Sequence, residues 1–246
     1  MTSSPAVATA TLGTALVTGA TSGIGRATAL RLALDGWTVV VHGRNVERGR
    51  QVVDEIEAAG GRGRFVGADL GNMADVRRLA EESGDIDVLV NNAGGSWFGP
   101  TPELDPSGFD ALFDGNVRSA YFLVGALAPG MAQRGNGSII NVGSMAGTIG
   151  MAGGAAYGAT KAALHSLARS WAAEYSPQGV RVNAVSPGPV FNRAGSEFTE
   201  QLGKTTLLGR AAEVDEIADV IAFLASEQAS YITGSVIAAD GGRTAI

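Results

Sequence analysis

A chain of 246 residues with a formal net charge of -6 and no cluster of lysine or arginine lacks the electrostatic footprint of a nucleic-acid or anionic-membrane partner. Zero cysteines exclude disulfides, thiolate catalysis and thiolate metal sites and suit a cytoplasmic protein, and no run approaches the ~18 apolar residues of a membrane span. Glycine, at 36 residues, has about twice its usual share of roughly 7 %, and charged residues at 17 % fall below the customary figure of about 25 %, so tight turns and a sparsely charged exterior, partly covered by further copies of the chain, are expected.

Residues 1–12 carry neither a basic segment nor a long apolar core, so they do not read as a signal peptide; a disordered tail is expected there, ahead of a single domain over 13–246. Thr14–Thr18 is a short apolar run that ends at Gly19, and Gly23–Asp35 then has helical periodicity. The loop between them, G-A-T-S-G-I-G, spaces its glycines as Gly19, Gly23 and Gly25 rather than as G-x-G-x-x-G. The physics is similar: glycines let the backbone approach a pyrophosphate, and the helix opening near Gly23 offers free N–H groups and the positive end of its dipole.

Trp37–His42 predicts a second strand. At its end an NAD-binding protein carries an acid for the ribose hydroxyls, whereas this chain has Gly43 and Arg44, a guanidinium suited to a 2′-phosphate, which favours NADP(H) over NAD(H). Helix Val46–Ala59, strand Gly63–Ala68 ending at Asp69-Leu70, helix Met73–Ser83 and strand Ile86–Val90, which runs into Asn91-Asn92-Ala93-Gly94, continue the alternation. Such alternation implies an α/β fold, a doubly wound parallel sheet of about seven strands with helices on both faces and ligands at the carboxyl ends of the strands.

A long helix is expected over Phe109–Arg134, with Asn116 polar in a largely apolar neighbourhood, then strand Ser138–Val142 ending near Ser144. Ala155–Glu174, alanine-rich and free of proline, predicts a helix that places Lys161 one turn from Tyr157 on the same face. A cation about 4 Å from a phenol at an effective dielectric of about 20 favours phenolate by up to roughly 4 kcal/mol before solvent opposes it, enough to bring tyrosine into the range of a general acid/base. Ser144, Tyr157 and Lys161 thus suit proton transfer to or from a carbonyl or alcohol oxygen. His165 shares that face two turns on and reads as a packing residue. Strand Val180–Val185, a weakly patterned segment Val190–Leu208 read as a substrate flap, helix Val214–Ser226 and strand Ser235–Ala239 complete the chain. His42 and His165 stand alone, without the ligand spacing of a metal site.

T-G-A-T-S-G-I-G, N-N-A-G, the Ser-Tyr-x-x-x-Lys set and P-G, in this order in one chain, resemble the short-chain dehydrogenase/reductase family over about Thr14 to Gly242. The resemblance implies a seven-stranded Rossmann-like domain, a homotetramer or homodimer, and hydride transfer between a nicotinamide and a carbonyl or alcohol carbon. It implies Tyr157 as proton donor, Lys161 as the group that lowers its pKa and binds the nicotinamide ribose, Ser144 as the polariser of the substrate oxygen, and Asn116 as holder of a water that links Lys161 to solvent. For the dinucleotide it implies Thr18, Gly19, Ser22, Ile24 and Gly25 at the pyrophosphate, Asp69 and Leu70 at the adenine, Asn91, Ala93 and Gly94 on the cofactor floor, and Pro187, Gly188 and Val190 at the nicotinamide. Two positions depart from the pattern: Phe191-Asn192 follows P-G-P-V where a threonine is common, and Ser22 stands where NADP-preferring relatives often place a cation.

The ending I-T-G-S-V-I-A-A-D-G-G is similar to that of 3-oxoacyl-acyl-carrier-protein reductases, but Gln178 occupies a position where those enzymes offer a basic residue to the acidic carrier. A pocket of Ser96, Trp97, Met145, Thr148, Met151, Phe191 and Phe198 is expected, apolar with one aromatic slab and suited about equally to a ketone, a cyclic or aromatic carbonyl or a sugar-derived ring. A non-catalytic dinucleotide-binding protein is the alternative of another class; loss of Ser144, Tyr157 or Lys161 would favour it, and all three are present.

Overall fold

The computed structural model describes residues 11–191 and 197–246. Strand and helix alternate as β1 (Thr14–Val17), α1 (Gly23–Leu34), β2 (Thr38–Gly43), α2 (Val46–Ala58), β3 (Arg62–Gly67), α3 (Met73–Ser83), β4 (Val88–Asn91), α4 (Pro106–Phe113), α5 (Ser119–Arg134), β5 (Gly137–Val142), α6 (Ala155–Tyr175), β6 (Val180–Pro187), α7 (Glu197–Gly203), α8 (Val214–Ala225) and β7 (Val236–Ala239). Among the described residues the strands form one 7-stranded sheet, ordered β3-β2-β1-β4-β5-β6-β7, with every pairing parallel. This is the doubly wound parallel sheet the alternation predicts, and the Rossmann-like domain the resemblance implies.

Side chains alternate between the faces of the sheet, as a period of two requires. Leu16, Val40, Leu89 and Ile139 pack against α3, α5 and α6, while Val17, Val39, Val90 and Ile140 pack against α1, α2 and α8. A strand covered on both faces needs apolar residues at every position, which is why these runs read as continuous rather than alternating. The strand order reverses between β1 and β4, so the loops after these strands diverge and leave a crevice at their carboxyl ends.

One expected element is different. The helix read over Phe109–Arg134 begins earlier, at Pro106, where Asp105 accepts the Gly108 N–H, and it is interrupted by a π turn over Asp114–Arg118. The expected flap contains α7, with residues 192–196 outside the described set, as are residues 1–10 of the expected tail. No helix among the described residues is long and apolar enough to cross a membrane.

Candidate active site

The crevice holds a cleft of about 810 Å³ along the ends of β1, β2, β3 and β4, lined by Gly19, Ser22, Ile24, Gly25, Arg44, Asp69, Leu70, Ala93 and Gly94 among others. Three features fit it to a dinucleotide. No side chain caps α1 and its first turn has no acid, so the N–H groups at Gly23 and Ile24 keep their hydrogen-bonding capacity for an anion. A Cβ on Gly25 would overlap the Gly19 carbonyl, so only glycine lets helix and loop approach this closely. Arg44 and Arg48 stand exposed at the far wall of the cleft.

A second cleft, about 450 Å³, adjoins the first and shares Ile24, Asn92, Gly94 and Gly95 with it. Ser144, Tyr157 and Lys161 line it together. Ser144 caps the 3-10 turn Met145–Gly147, its hydroxyl accepting the Ala146 N–H at 3.2 Å. The Lys161 Nζ lies 5.7 Å from the Tyr157 ring centroid, as one-turn spacing on α6 predicts. Its ammonium donates to the Val142 carbonyl at 2.9 Å, and burial lowers its pKa to about 8. Burial raises the Tyr157 phenol above its ordinary value, and a hydrogen bond from the Ser144 side chain opposes the rise.

The Asn116 side chain makes three hydrogen bonds within the protein. Its Oδ1 accepts the Gly95 N–H at 2.7 Å, and its Nδ2 donates to the Gly95 carbonyl and the Thr160 Oγ1, each at 2.9 Å. A π turn is a local cost that such partners repay, and it brings the amide between the β4 loop and α6.

A family model described as enoyl-(acyl carrier protein) reductase matches residues 19–244. The chain belongs to the short-chain dehydrogenase/reductase family. It is 38 % identical over 259 aligned positions to a 3beta-hydroxysteroid dehydrogenase of Mediterraneibacter gnavus, with 93 % of this chain and 94 % of the relative covered. It is 36 % identical to a 3-oxoacyl-acyl-carrier-protein reductase of Thermotoga maritima over 92 % of this chain and 96 % of that one. A blue fluorescent protein from a metagenomic library, solved in complex with NADPH, superposes with a TM-score of 0.89 at 34 % identity, over 95 % of this chain and 98 % of that chain.

Several positions in this short-chain dehydrogenase/reductase differ from expectation. Asn91 is buried in the sheet, where its Nδ2 donates to Asn141 Oδ1 at 3.0 Å; Asn92 lines the cofactor cleft instead. The Thr18 hydroxyl faces inward, donating to the Val90 carbonyl and accepting the Asn92 and Ala93 N–H groups. The Asn116 amide bonds Gly95 and Thr160 directly, which leaves one acceptor site on its Oδ1 for the expected water. At the phenol burial outweighs the Ser144 hydrogen bond, so its pKa is raised rather than lowered as expected from Lys161, whose ammonium is engaged with Val142.

Ser96, Met145, Met151 and Phe198, expected in the substrate pocket, line the second cleft, and so do Pro187, Gly188 and Val190, expected at the nicotinamide. Trp97 does not: it lines a separate groove with Phe109 and Phe113, and Phe98, one residue on, presents its ring to the cleft. Consecutive residues in extended chain point opposite ways, so a one-residue error in reading the loop exchanges inside for outside. Phe191 and Thr148 also lie off the lining. The sequence did not mark Phe98 and Leu202, and it marked His42 only as a histidine without metal-ligand spacing, since none belongs to a motif with its own chemical signal at these clefts.

Proposed function

We propose that the chain is an NADP(H)-dependent carbonyl reductase, acting in the cytoplasm on a small, uncharged and fairly apolar ketone or on the matching secondary alcohol. The observation that carries the reading is the position of Ser144, Tyr157 and Lys161 where a dinucleotide-sized cleft opens into an aromatic-walled one. When bound, the nicotinamide supplies or takes up the hydride at the substrate carbon. The chain's own part is the proton. A phenol kept neutral by burial is poised to donate to the carbonyl oxygen, Ser144 is placed to donate a hydrogen bond to the same oxygen, and the Lys161 ammonium stabilises the phenolate left behind.

The phosphate preference is supported at the end of β2. Arg44 stands at the cleft, and a Cβ on Gly43 would run into the Thr21 side chain, leaving no room there for the carboxylate that reads ribose hydroxyls. The NADPH complex of the structural relative agrees with it. An apolar ring substrate is favoured by the Phe98 ring, 5.4 Å from that of Tyr157 and 6.3 Å from that of Phe198. Among the described residues, Lys161 is the one charged side chain lining this cleft. The name of the steroid-acting relative points the same way.

A second reading, 3-oxoacyl-acyl-carrier-protein reductase, is favoured by the Thermotoga relative. Following NADPH absorbance against cyclic ketones, acyclic ketones and 3-oxoacyl thioesters decides between them. Turnover restricted to thioesters would replace the first reading with the second, and no turnover with any carbonyl would remove both.

A homotetramer or homodimer belongs to the same proposal. It is supported by Tyr121 and Phe122, about half exposed side by side on α5. Light scattering that returned a monomer would refute it.

A further inference from the structure

His42, one residue before the end of β2, has 2 % of its surface exposed, yet it lines the wall of the larger cleft. Both ring nitrogens are bonded. The Gly19 N–H points at Nδ1 from 3.2 Å, and Nε2 lies 3.2 Å from the Ala68 carbonyl. An N–H that points at Nδ1 requires that nitrogen to be the acceptor, so the proton sits on Nε2 and is donated to Ala68. Burial lowers the pKa of this imidazole to about 4, which agrees with a neutral ring.

The main chain of the same residue acts on the same loop, its carbonyl accepting the Ala20 N–H at 2.8 Å. Consecutive amides at the start of the glycine turn are therefore tied to one residue of the neighbouring strand, and the amides further on, at the mouth of α1, keep theirs for an anion. On its other side the ring reaches the residue that precedes Asp69 and Leu70, so one imidazole braces both walls of the cleft.

We propose that His42 is a positioning residue for the dinucleotide: its Nε2–H tautomer ties the Gly19 turn to the end of β3 and so fixes the spacing between pyrophosphate loop and adenine wall. The inference rests on reading this cleft as the dinucleotide site. An apolar residue here would leave the part-buried Gly19 N–H without its acceptor, and a protonated imidazole would turn a donor against it.

The side-chain amides separate the two bonds. Asn places its oxygen near the position of Nδ1, whereas Gln places a donor near that of Nε2. Dissociation constants for NADPH are measured with His42→Ala, His42→Asn and His42→Gln, alongside kcat and KM and a thermal melt of each. His42→Ala and His42→Gln are expected to weaken NADPH about tenfold, with the loss falling on KM for NADPH more than on kcat, and His42→Asn to recover most of it. Unchanged affinity in His42→Ala, or a loss in His42→Asn equal to that in His42→Ala, would overturn the inference.

The wild-type protein offers a readout that needs no variant to fold. The imidazole 15N spectrum at neutral pH should show the proton on Nε2, and a proton on Nδ1 would also overturn it. Wild-type binding of NADPH with no response in the variants removes the role of His42 alone, whereas wild-type binding of neither NADPH nor NADH removes the reading of the cleft together with it.

Discussion

At Tyr157 burial and a hydrogen bond from Ser144 oppose each other. The phenol is raised by desolvation, and the Lys161 ammonium, engaged with Val142, does not reverse it, so the free protein holds a proton ready for donation at neutral pH. Replacing Tyr157 with Phe removes that proton and little else: NADPH affinity should stay within about twofold while kcat falls by roughly a hundredfold or more. Substantial turnover in the variant would transfer the proton to another group. Arg44 carries a different prediction. Arg44→Gln removes a charge-assisted contact and should weaken NADPH by about tenfold to a hundredfold with little change for NADH, as read by the ratio of kcat/KM values. Equal losses for both dinucleotides would place the guanidinium away from the phosphate.

Between elements, the π turn at Asp114–Arg118 does what an unbroken helix would not, setting the Asn116 amide between the β4 loop and α6. Asn116→Ala removes the hydrogen bonds that tie Gly95 and Thr160 together while Thr160 keeps its bond to the Tyr157 carbonyl, so a loss of about 1–2 kcal/mol is expected in urea unfolding. Because Thr160 neighbours Lys161 on α6, kcat should fall with stability; a variant as stable as wild type would show that the amide is dispensable. Neither the turn nor its partners were legible in the sequence, because local propensity favours an uninterrupted helix and the interruption is decided by contacts far along the chain. The parallel, two-faced sheet was legible, since alternation of apolar runs with amphipathic helices leaves few other ways to cover both faces; the order of its strands was not, because long-range pairing decides it. The glycine loop and the Ser-Tyr-Lys set were legible because their chemistry demands particular atoms at fixed spacing. Trp97 and Phe98 were not told apart, because either ring satisfies an apolar wall and only the direction of the loop decides between them.

For the molecule as a whole, His42 and His165 link folding to protons. Desolvation lowers both to about 4, with the Arg169 and Lys161 charges adding to the effect at His165, whereas an unfolded chain holds them at about 6.5. The unfolded state therefore binds more protons between these values. The stability is fully present above about pH 6.5 and is lost as pH falls towards 4, by about 3 kcal/mol for His42 alone. Urea midpoints should drop between pH 7 and pH 5, less steeply in His42→Asn; a flat profile in the wild type would deny the burial of these rings.

The two clefts share Ile24, Asn92, Gly94 and Gly95. A nucleotide lying in the longer trough thus builds a side of the shorter one, and a ketone that arrives early meets a box with a wall missing. Such a layout imposes a queue: the dinucleotide enters first and leaves last, and the oxidised form should inhibit competitively against the reduced form but not against the ketone.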